Sequence, residues 1–481
     1  MAVINVLQRT VRGAFVTTAS APGLATTSAS APGSATLVLL AALLGFFMTA
    51  LDATAVNVAL PGIGRSLGGG TAGLQWVVDG YTLMFAALLI SAGAISDRAG
   101  ARRVFGFGLI VFTLASAACG LAPGMWFLVL ARVVQGSAAA VMMPASLALV
   151  RQAFADPARR AKAVAQWTVG GAVAIVAGPL AGGVLTSAVS WRLIFVLNLP
   201  AGLVALALLR RAPASPRRDA PLDLAGQVTL VAALAALTFG IIEGGSGGFG
   251  SPLVLGSLAL AVLAMGLFTL AEARAAVPMI PLGLFRSRVV LFCVAGGFAV
   301  NGTFYGMIFV FSLYFQRVLG LSPVSAGLMF LPMSALVSLS NLASVRLAAQ
   351  SGPRRPIWTG LLGAAAGLSA LLAVNGTTDR YLLAGLLVPV GLGLGLAVPS
   401  LTAILLETLP GSQAGLAAGV YNSARQVGGT VAVAVFGALI ARRTSFGAGM
   451  RDSLLVVAIM VAATALGALL LPRQEQRLEL V

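Results

Sequence analysis

The residues best placed to do chemistry in this sequence are three charged side chains inside long apolar stretches. Asp52 lies deepest among the acids, Asp79 lies near the end of the following stretch, and Arg132 falls within the fourth stretch. An ionisable side chain inside a membrane is costly and marks a functional site by default. We therefore expect Asp52 to bind and release a proton, and Arg132 to favour the release when the two side chains meet.

Several other chemistries are excluded by the residue types that the chain lacks. It contains no His, and its only Lys, Lys162, is not in a Gly-rich phosphate loop. Zincin-type metal sites need His, and Walker-type phosphate loops need Lys. The net charge of +17 could indicate nucleic acid, but the basic residues stand singly or in pairs without interleaved aromatics. We predict no catalytic residue, no metal, no cofactor and no nucleic-acid partner.

The elements that must position these residues are membrane helices. The chain is 59% hydrophobic and only 9% charged, whereas a soluble domain is typically about 25% charged. A helix needs about 20 apolar residues to cross a bilayer, and fourteen apolar runs satisfy this requirement. We predict an all-α integral membrane protein with spans near 37–60, 74–95, 104–122, 126–150, 163–186, 193–209, 222–242, 253–271, 289–312, 324–345, 356–374, 381–405, 413–439 and 453–471.

The basic residues between these spans predict the orientation of the chain. With the N-terminus inside, 21 of the 30 Lys and Arg residues fall in inner segments and 7 in outer ones. Positive residues concentrate on the cytoplasmic side of membrane proteins, so both termini should be cytoplasmic. We expect residues 1–36 to form a disordered cytoplasmic tail and residues 473–481 a second tail. No gap is long enough for a soluble catalytic module.

The gap after the second span carries a family resemblance. It reads GAISDRAGARR from Gly93 and resembles the G-x-L-A-D-R-x-G-R-K loop of the major facilitator superfamily. A charge cluster at this place would latch two helices on the inner face and release them when the protein changes conformation. The residues assigned to this latch are Gly93, Asp97, Arg98, Gly100 and Arg102.

Three further stretches resemble the same superfamily, and two of them, in the first and fifth spans, resemble its exporting branches. The first span ends LDATAVNVALP from Leu51, which is similar to the signature of the fourteen-span drug:proton antiporters. The stretch LVLARVVQGSAAA from Leu128 resembles the Arg-containing motif of the fourth helix. The fifth span contains GPLAGG, which resembles the antiporter signature with its kinked helix; the residues concerned are Gly178, Pro179, Gly182 and Gly183.

The resemblance implies a fold, a mechanism and a location. Two six-helix bundles at 37–211 and 289–472 would be separated by two extra helices within 212–288, and would rock about a substrate cavity near the midplane. An antiporter of this branch, similar to actinobacterial antibiotic exporters, would use the proton gradient to export an amphipathic drug from the cell, as a monomer in the plasma membrane. We expect the cavity to be lined by Asn57, Gln75, Asp79, Asn301, Tyr305, Asn422 and Arg425.

Three other functions are compatible with much of the same sequence. One is a nutrient or metabolite proton symporter of the same fold, which the stretch Gly178–Gly183 disfavours. Another is a membrane subunit that serves a separate ATPase. The third is a non-transporting membrane receptor or scaffold.

Overall fold

A computed structural model describes residues 32–217, 222–409 and 414–470 of the chain. The predicted tail at 473–481 lies outside these residues, as do residues 1–31 of the predicted N-terminal tail. The first helix begins at Pro32, whereas the first span was predicted from 37. Ser34, Ala35 and Thr36 can each occupy a helix, so the helix extends beyond the apolar run towards the N-terminus.

The described residues are helical almost throughout. The first group comprises α1 (Pro32–Leu67), α2 (Gly70–Ala99), α3 (Ala101–Gly120), α4 (Met125–Ala153), α5 (Pro157–Ala188) and α6 (Leu193–Leu209). The second group comprises α7 (Leu224–Gly247) and α8 (Pro252–Arg274). The third comprises α9 (Arg288–Leu313), α10 (Pro323–Ser351), α11 (Arg354–Leu371), α12 (Arg380–Thr408), α13 (Ala414–Arg442) and α14 (Phe446–Leu469). A 3-10 turn, Leu282–Arg286, precedes α9, and a π-helical turn, Tyr314–Val318, extends it.

Twelve helices in the described part of the chain are long and apolar enough to cross a membrane. The two remaining predicted spans are also helical, but α6 is a shorter apolar helix and α11 has only 18 residues. Large apolar side chains such as Phe107, Leu114 and Leu130 are exposed on the outside of the bundle. Helices that are apolar on all sides are expected when lipid rather than water surrounds them.

Local sequence explains where several helices begin. Asp156 caps α5 by accepting a hydrogen bond from the backbone N–H of Arg159, and Pro157 occupies the first helical position, where its missing N–H costs nothing. Asp379 caps α12 in the same way. Gly100 alone connects α2 to α3 at φ +90°, a backbone conformation that glycine adopts without strain.

The helices pack as two bundles flanked by a hairpin. Helices α1–α6 form one bundle and α9–α14 the other, and the two meet mainly where α2 packs on α13 and where α5 packs on α10. Helix α7 packs against both α2 and α13, and α8 packs on the outside of α7. The extra pair therefore lies beside one of the two seams between the bundles.

The hydrogen bonds between the two bundles lie in one half of the molecule, between the end where α1 finishes and the midpoints of the helices. Gln75 donates to the carbonyls of Val433 and Ala434, at 3.2 and 2.7 Å. Gln316 donates to the carbonyl of Val58 at 2.8 Å. At the opposite helix ends, no hydrogen bond joins the two bundles within the described ranges. Among the described residues, the hydrogen bonds between the bundles therefore lie towards one end, which we call the closed end.

Candidate functional site

The centre of the first bundle holds a buried ion pair between α1 and α4. The Nη1 of Arg132 donates to Oδ2 of Asp52, and the two residues are 1% and 0% exposed. The other oxygen, Oδ1, accepts hydrogen bonds from Gln135 at 3.1 Å and from Asn198 at 3.2 Å. Arg132 also donates to the carbonyl of Val77 on α2 at 3.0 Å. Four helices therefore contribute to one charge pair.

A second set of contacts fixes the side chains that hold this pair. The hydroxyl of Ser116 accepts from Gln135 at 3.2 Å and from Asn198 at 3.0 Å, and donates to the carbonyl of Phe195 at 2.9 Å. The guanidinium of Arg132 stands 4.3 Å from the ring centroid of Tyr81. Every member of this network is buried, so the ion pair is oriented by side chains that water does not reach.

The network brings together Asp52 and Arg132, the two residues predicted for proton coupling. It also contains residues that the sequence did not single out, chiefly Asn198 and Ser116. Asn198 lies in the stretch SWRLIFVLNLP, which shares the family resemblance, and a polar residue within an apolar run was the available signal. Ser116 carries no such signal, because serine is common in membrane helices.

The side chain of Asp52 has three hydrogen-bond donors, the guanidinium of Arg132 and two amides. Charge-assisted hydrogen bonds of the kind that Arg132 makes are stronger than those between neutral groups. Buried pairs of this type are costly to break by removing one partner, about 3–5 kcal/mol, because the other charge is left uncompensated. A proton arriving at Asp52 would neutralise it and weaken its attachment to Arg132.

The second bundle holds a different polar cluster around Arg425. Its Nε and Nη2 donate to Oδ1 of Asn301 at 3.1 and 3.0 Å, and its Nη1 donates to Oδ1 of Asn422 at 3.3 Å. Asn301 in turn donates to Gln426 at 3.3 Å. No carboxylate pairs with Arg425 in the part of the chain that the structure describes, and its side chain is only partly buried. Tyr305, one turn beyond Asn301, is also partly buried.

Three residues predicted to line the cavity are buried in this structure. Gln75 is buried in the seam between α2 and α13, and Asn57 is buried and donates to the carbonyl of Ala53 at 3.0 Å. Asp79 on α2 is 0% exposed. Its Oδ2 has no hydrogen-bond partner among the described residues, and its nearest donor, the Thr82 hydroxyl, is 3.4 Å from Oδ1.

The predicted latch loop contacts the end of the first bundle. Arg102 donates to the carbonyl of Arg210 at 2.9 Å, and its backbone N–H donates to Ser215 at 3.1 Å. Asp97 and Arg98 are exposed, and neither forms an ion pair with another described residue. Gly93, at the start of the loop sequence, has open space where a Cβ would stand.

The predicted antiporter kink lies where α5 approaches two other helices. A Cβ on Gly178 would collide with the side chain of Thr54, and one on Gly182 with the carbonyl of Ala55, both on α1. A Cβ on Gly183 would collide with the carbonyl of Pro323 at the start of α10. Small residues permit such close helix approach in membranes. Pro179 lies inside α5 within this run of glycines.

An apolar crevice separates the extra pair from the second bundle. It has a volume of about 670 Å³ and is bounded by α2, α7, α8, α9, α13 and α14. This volume falls within the usual range of ligand pockets, roughly 300–1,000 Å³. Its lining is aliphatic and aromatic, with side chains including Leu234, Met265, Phe285, Phe298 and Val427.

Two helical bundles around buried polar clusters define a membrane transport protein. Residues 42–433 match the model of the Major Facilitator Superfamily. The chain belongs to this superfamily. It is therefore a transporter rather than an enzyme, and a multi-pass protein of the plasma membrane.

The similar proteins are resistance proteins and transporters. The chain is 35% identical over 435 residues to the methylenomycin A resistance protein of Streptomyces coelicolor, covering 90% of this chain and 92% of that one. It is 36% identical over 414 residues to the tetracenomycin C resistance and export protein of Streptomyces glaucescens, covering 84% and 76%. A bacterial homologue of the human lysosomal transporter Spinster shares the fold, with a TM-score of 0.66, 16% identity and coverage of 92% and 97%.

Proposed function

We propose that this protein exports an amphipathic drug or antibiotic in exchange for protons. The observation that carries the proposal is the buried pair of Asp52 and Arg132, held by Gln135 and Asn198 in the core of the first bundle. A secondary transporter needs an ionisable group whose protonation changes with conformation. Asp52 meets this need because protonation would remove its main attraction to α4.

The proposed topology has fourteen spans with both termini in the cytoplasm. The excess of basic residues in the inner segments supports the orientation. Helices α6 and α11 are not among the twelve long apolar helices, but both are integral to the bundles. Helix α6 packs on α1 and α3, and α11 packs on α12 and α14. With this topology, the closed end of the bundles faces outward.

The proposed cycle starts from the state seen here. Asp52 is ionised and paired with Arg132, so its proton has been released to the cytoplasm, from which the drug enters. The bundles then rock so that the site faces outward. A proton from outside neutralises Asp52 and loosens its contact with Arg132, and the drug leaves. Return to the inward-facing state and release of the proton complete the exchange.

A second proton site is proposed at Asp79. This carboxyl is buried in α2 without a cation partner, and its Oδ2 has no donor among the described residues. Burial of an unpaired charge is strongly unfavourable, so such a group is held neutral by a proton. Gln75 and Thr82 on the same helix contact α13. Opening of this seam would expose Asp79 to outside water and allow it to lose its proton.

The substrate is proposed to be amphipathic and to carry a hydrogen-bond acceptor or a negative group. Arg425 hydrogen-bonds two amide side chains, Asn301 and Asn422, but no carboxylate among the described residues, which leaves its positive charge available. The apolar crevice beside α13 suits the hydrophobic part of a molecule that enters from the membrane. The known resistance proteins similar to this chain support an antibiotic as the substrate class.

Transport into vesicles with an imposed pH gradient tests the proposal. Wild-type protein should move amphipathic antibiotics or dyes uphill against an opposing proton flux. Asp52→Asn should abolish uphill transport and retain downhill exchange. Asp452→Asn is a matched control, because it removes the acid of an exposed ion pair with Arg443 and should behave as wild type. If drug binding to Asp52→Asn releases a proton with the wild-type pH profile, another residue carries the coupling.

The same vesicles separate the other functions. Drug movement in the same direction as the protons would identify a symporter. Export that persists in cells with a collapsed gradient but intact ATP would identify a subunit of an ATPase. Absence of flux for every compound, with binding retained, would identify a receptor.

A further inference from the structure

Two carboxylates meet at the end of the extra helix pair, far from Asp52 in the chain. Asp223 caps α7, and its Oδ1 accepts a hydrogen bond from the backbone N–H of Gly226 at 2.7 Å. Glu272 lies in the last turn of α8, is 3% exposed, and accepts at Oε2 from the backbone N–H of Ile280 at 2.9 Å. Each carboxylate therefore uses one oxygen to hold the backbone.

The other two carboxylate oxygens border the same space beside Gly226. Oδ2 of Asp223 and Oε1 of Glu272 each lie 2.7 Å from the point where a Cβ on Gly226 would stand, so they are at most 5.4 Å (twice 2.7) apart. Both oxygens are buried, and neither has a hydrogen-bond partner in the described ranges. The absence of a side chain at Gly226 leaves this space to the two acids.

No described cation compensates this pair. The basic side chains that follow Glu272 along the chain, Arg274, Arg286 and Arg288, are all exposed. None of them forms an ion pair with either acid among the described residues. Helix α2, which packs against α7, carries Asp97 and Arg98 towards this end; both are exposed and neither bonds to the pair. Two adjacent carboxylates without a cation cannot readily both ionise.

We propose that Asp223 and Glu272 share one proton, and that this proton fastens α7, α8 and the segment at 279–280 to one another. A proton between Oδ2 of Asp223 and Oε1 of Glu272 gives each of them a hydrogen bond, whereas its loss leaves two negative charges in a buried space. The site is separate from the transport residues proposed above, and does not depend on the direction or substrate of transport.

Protonation of the pair Asp223 and Glu272 can affect the seam between the bundles through α7. Gln227, one turn after Asp223, donates to the carbonyl of Ala87 on α2 at 2.9 Å, and α7 also packs against α13. With the proposed topology the pair faces the cytoplasm. Rising cytoplasmic pH would remove the shared proton and loosen α7 from α2, so the pair would make the anchoring of the extra helices sensitive to pH.

Thermal unfolding of the full-length protein in detergent, across a pH series, tests the shared proton. The proton stabilises the folded pair, so wild-type melting temperature should fall as pH rises through the titration of the pair. Glu272→Gln replaces the proton with an amide donor that stays at every pH, and should abolish this fall while keeping the low-pH stability. Asp223→Asn should also abolish it. Glu243→Gln, on the same α7 but without a neighbouring acid, is the control and should keep the wild-type profile.

Two further measurements distinguish a shared proton from a bound cation and from a general loss of packing. Potentiometric titration should show one proton released in the pH range where wild-type stability falls, and this proton should be absent in Glu272→Gln but present in Glu243→Gln. Gly226→Ala places a methyl group 2.7 Å from both oxygens and should lower the melting temperature most at low pH, where the shared proton exists. An unchanged pH profile in Glu272→Gln would overturn the proposal. So would wild-type stability that follows added Na⁺ or Ca²⁺ at constant pH, because a bound cation would then hold the acids together.

Discussion

Removing Asp52 and removing Arg132 should change the stability of the protein in different ways. Asp52→Asn leaves the guanidinium of Arg132 in the core without a carboxylate, because its remaining acceptors are neutral: the substituted amide, Gln135 and the carbonyl of Val77. Arginine cannot lose its proton in a protein, so the uncompensated charge remains at every pH. We expect a loss of about 3–5 kcal/mol in the free energy of unfolding. This loss should be independent of pH.

Arg132→Gln should behave differently because a carboxyl group can be neutralised. Asp52 keeps Gln135 and Asn198 as donors but loses its cation, and binding a proton removes the buried charge. The folded variant then binds a proton that the unfolded chain does not hold, so its stability rises as pH falls. The limiting slope is about 1.4 kcal/mol per pH unit. Wild type should lack this slope because it keeps the ion pair of Asp52 with Arg132.

Melting temperatures of the two single variants and the double variant in detergent, across a pH series, check this reasoning. The double variant Asp52→Asn/Arg132→Gln has neither charge of the buried pair and should be more stable than Asp52→Asn. The two single losses should therefore be non-additive, as expected for residues in contact. Asp452→Asn, from an exposed pair worth about 0–1 kcal/mol, should change little. Identical pH profiles for the two single variants would refute the buried ion pair.

Three other outcomes follow from the packing and the topology. Gly183→Ala inserts a methyl group against the carbonyl of Pro323, and overpacking of this kind costs about 1–3 kcal/mol. The variant should therefore favour the state in which α5 and α10 separate, measured by cysteine accessibility at that end. Gly363→Ala, with open space around it, should not change this accessibility. Asp97→Asn should slow turnover of bound drug and leave equilibrium binding unchanged. A reporter fused after Val481 should be active only in the cytoplasm; activity outside the membrane would reject the topology.

The sequence predicted the elements and the central pair, but not the contacts around them. Apolar runs identify membrane helices because lipid imposes a length and a composition on each span. An isolated charge in such a run, such as Asp52 or Arg132, is conspicuous for the same reason. The rotation of each helix is set by packing with its neighbours, so nothing in the sequence indicated that Asn198 would reach Asp52. Asp79 is a second example, since its position along α2 does not reveal that it is 0% exposed.

The surroundings of a helix end are hard to predict from the sequence. Asp223 lies at the start of a span, where an acid is ordinarily hydrated, yet its Oδ2 is buried against Glu272. This burial depends on the segment after α8, which folds back so that the backbone N–H of Ile280 donates to Glu272. Such a return is a tertiary feature that neither hydropathy nor spacing encodes.

Thermodynamic linkage between drug binding and proton binding gives a quantitative test of the proposed coupling. If drug binding lowers the proton affinity of the site by some factor, a proton must lower the drug affinity by the same factor. The first quantity is measured as protons released on drug binding, and the second as the change in drug affinity with pH. Both should vanish in Asp52→Asn if Asp52 alone carries the exchange. If Asp79 carries a second proton, one of two released protons should remain, and only the double variant Asp52→Asn/Asp79→Asn should bind drug independently of pH.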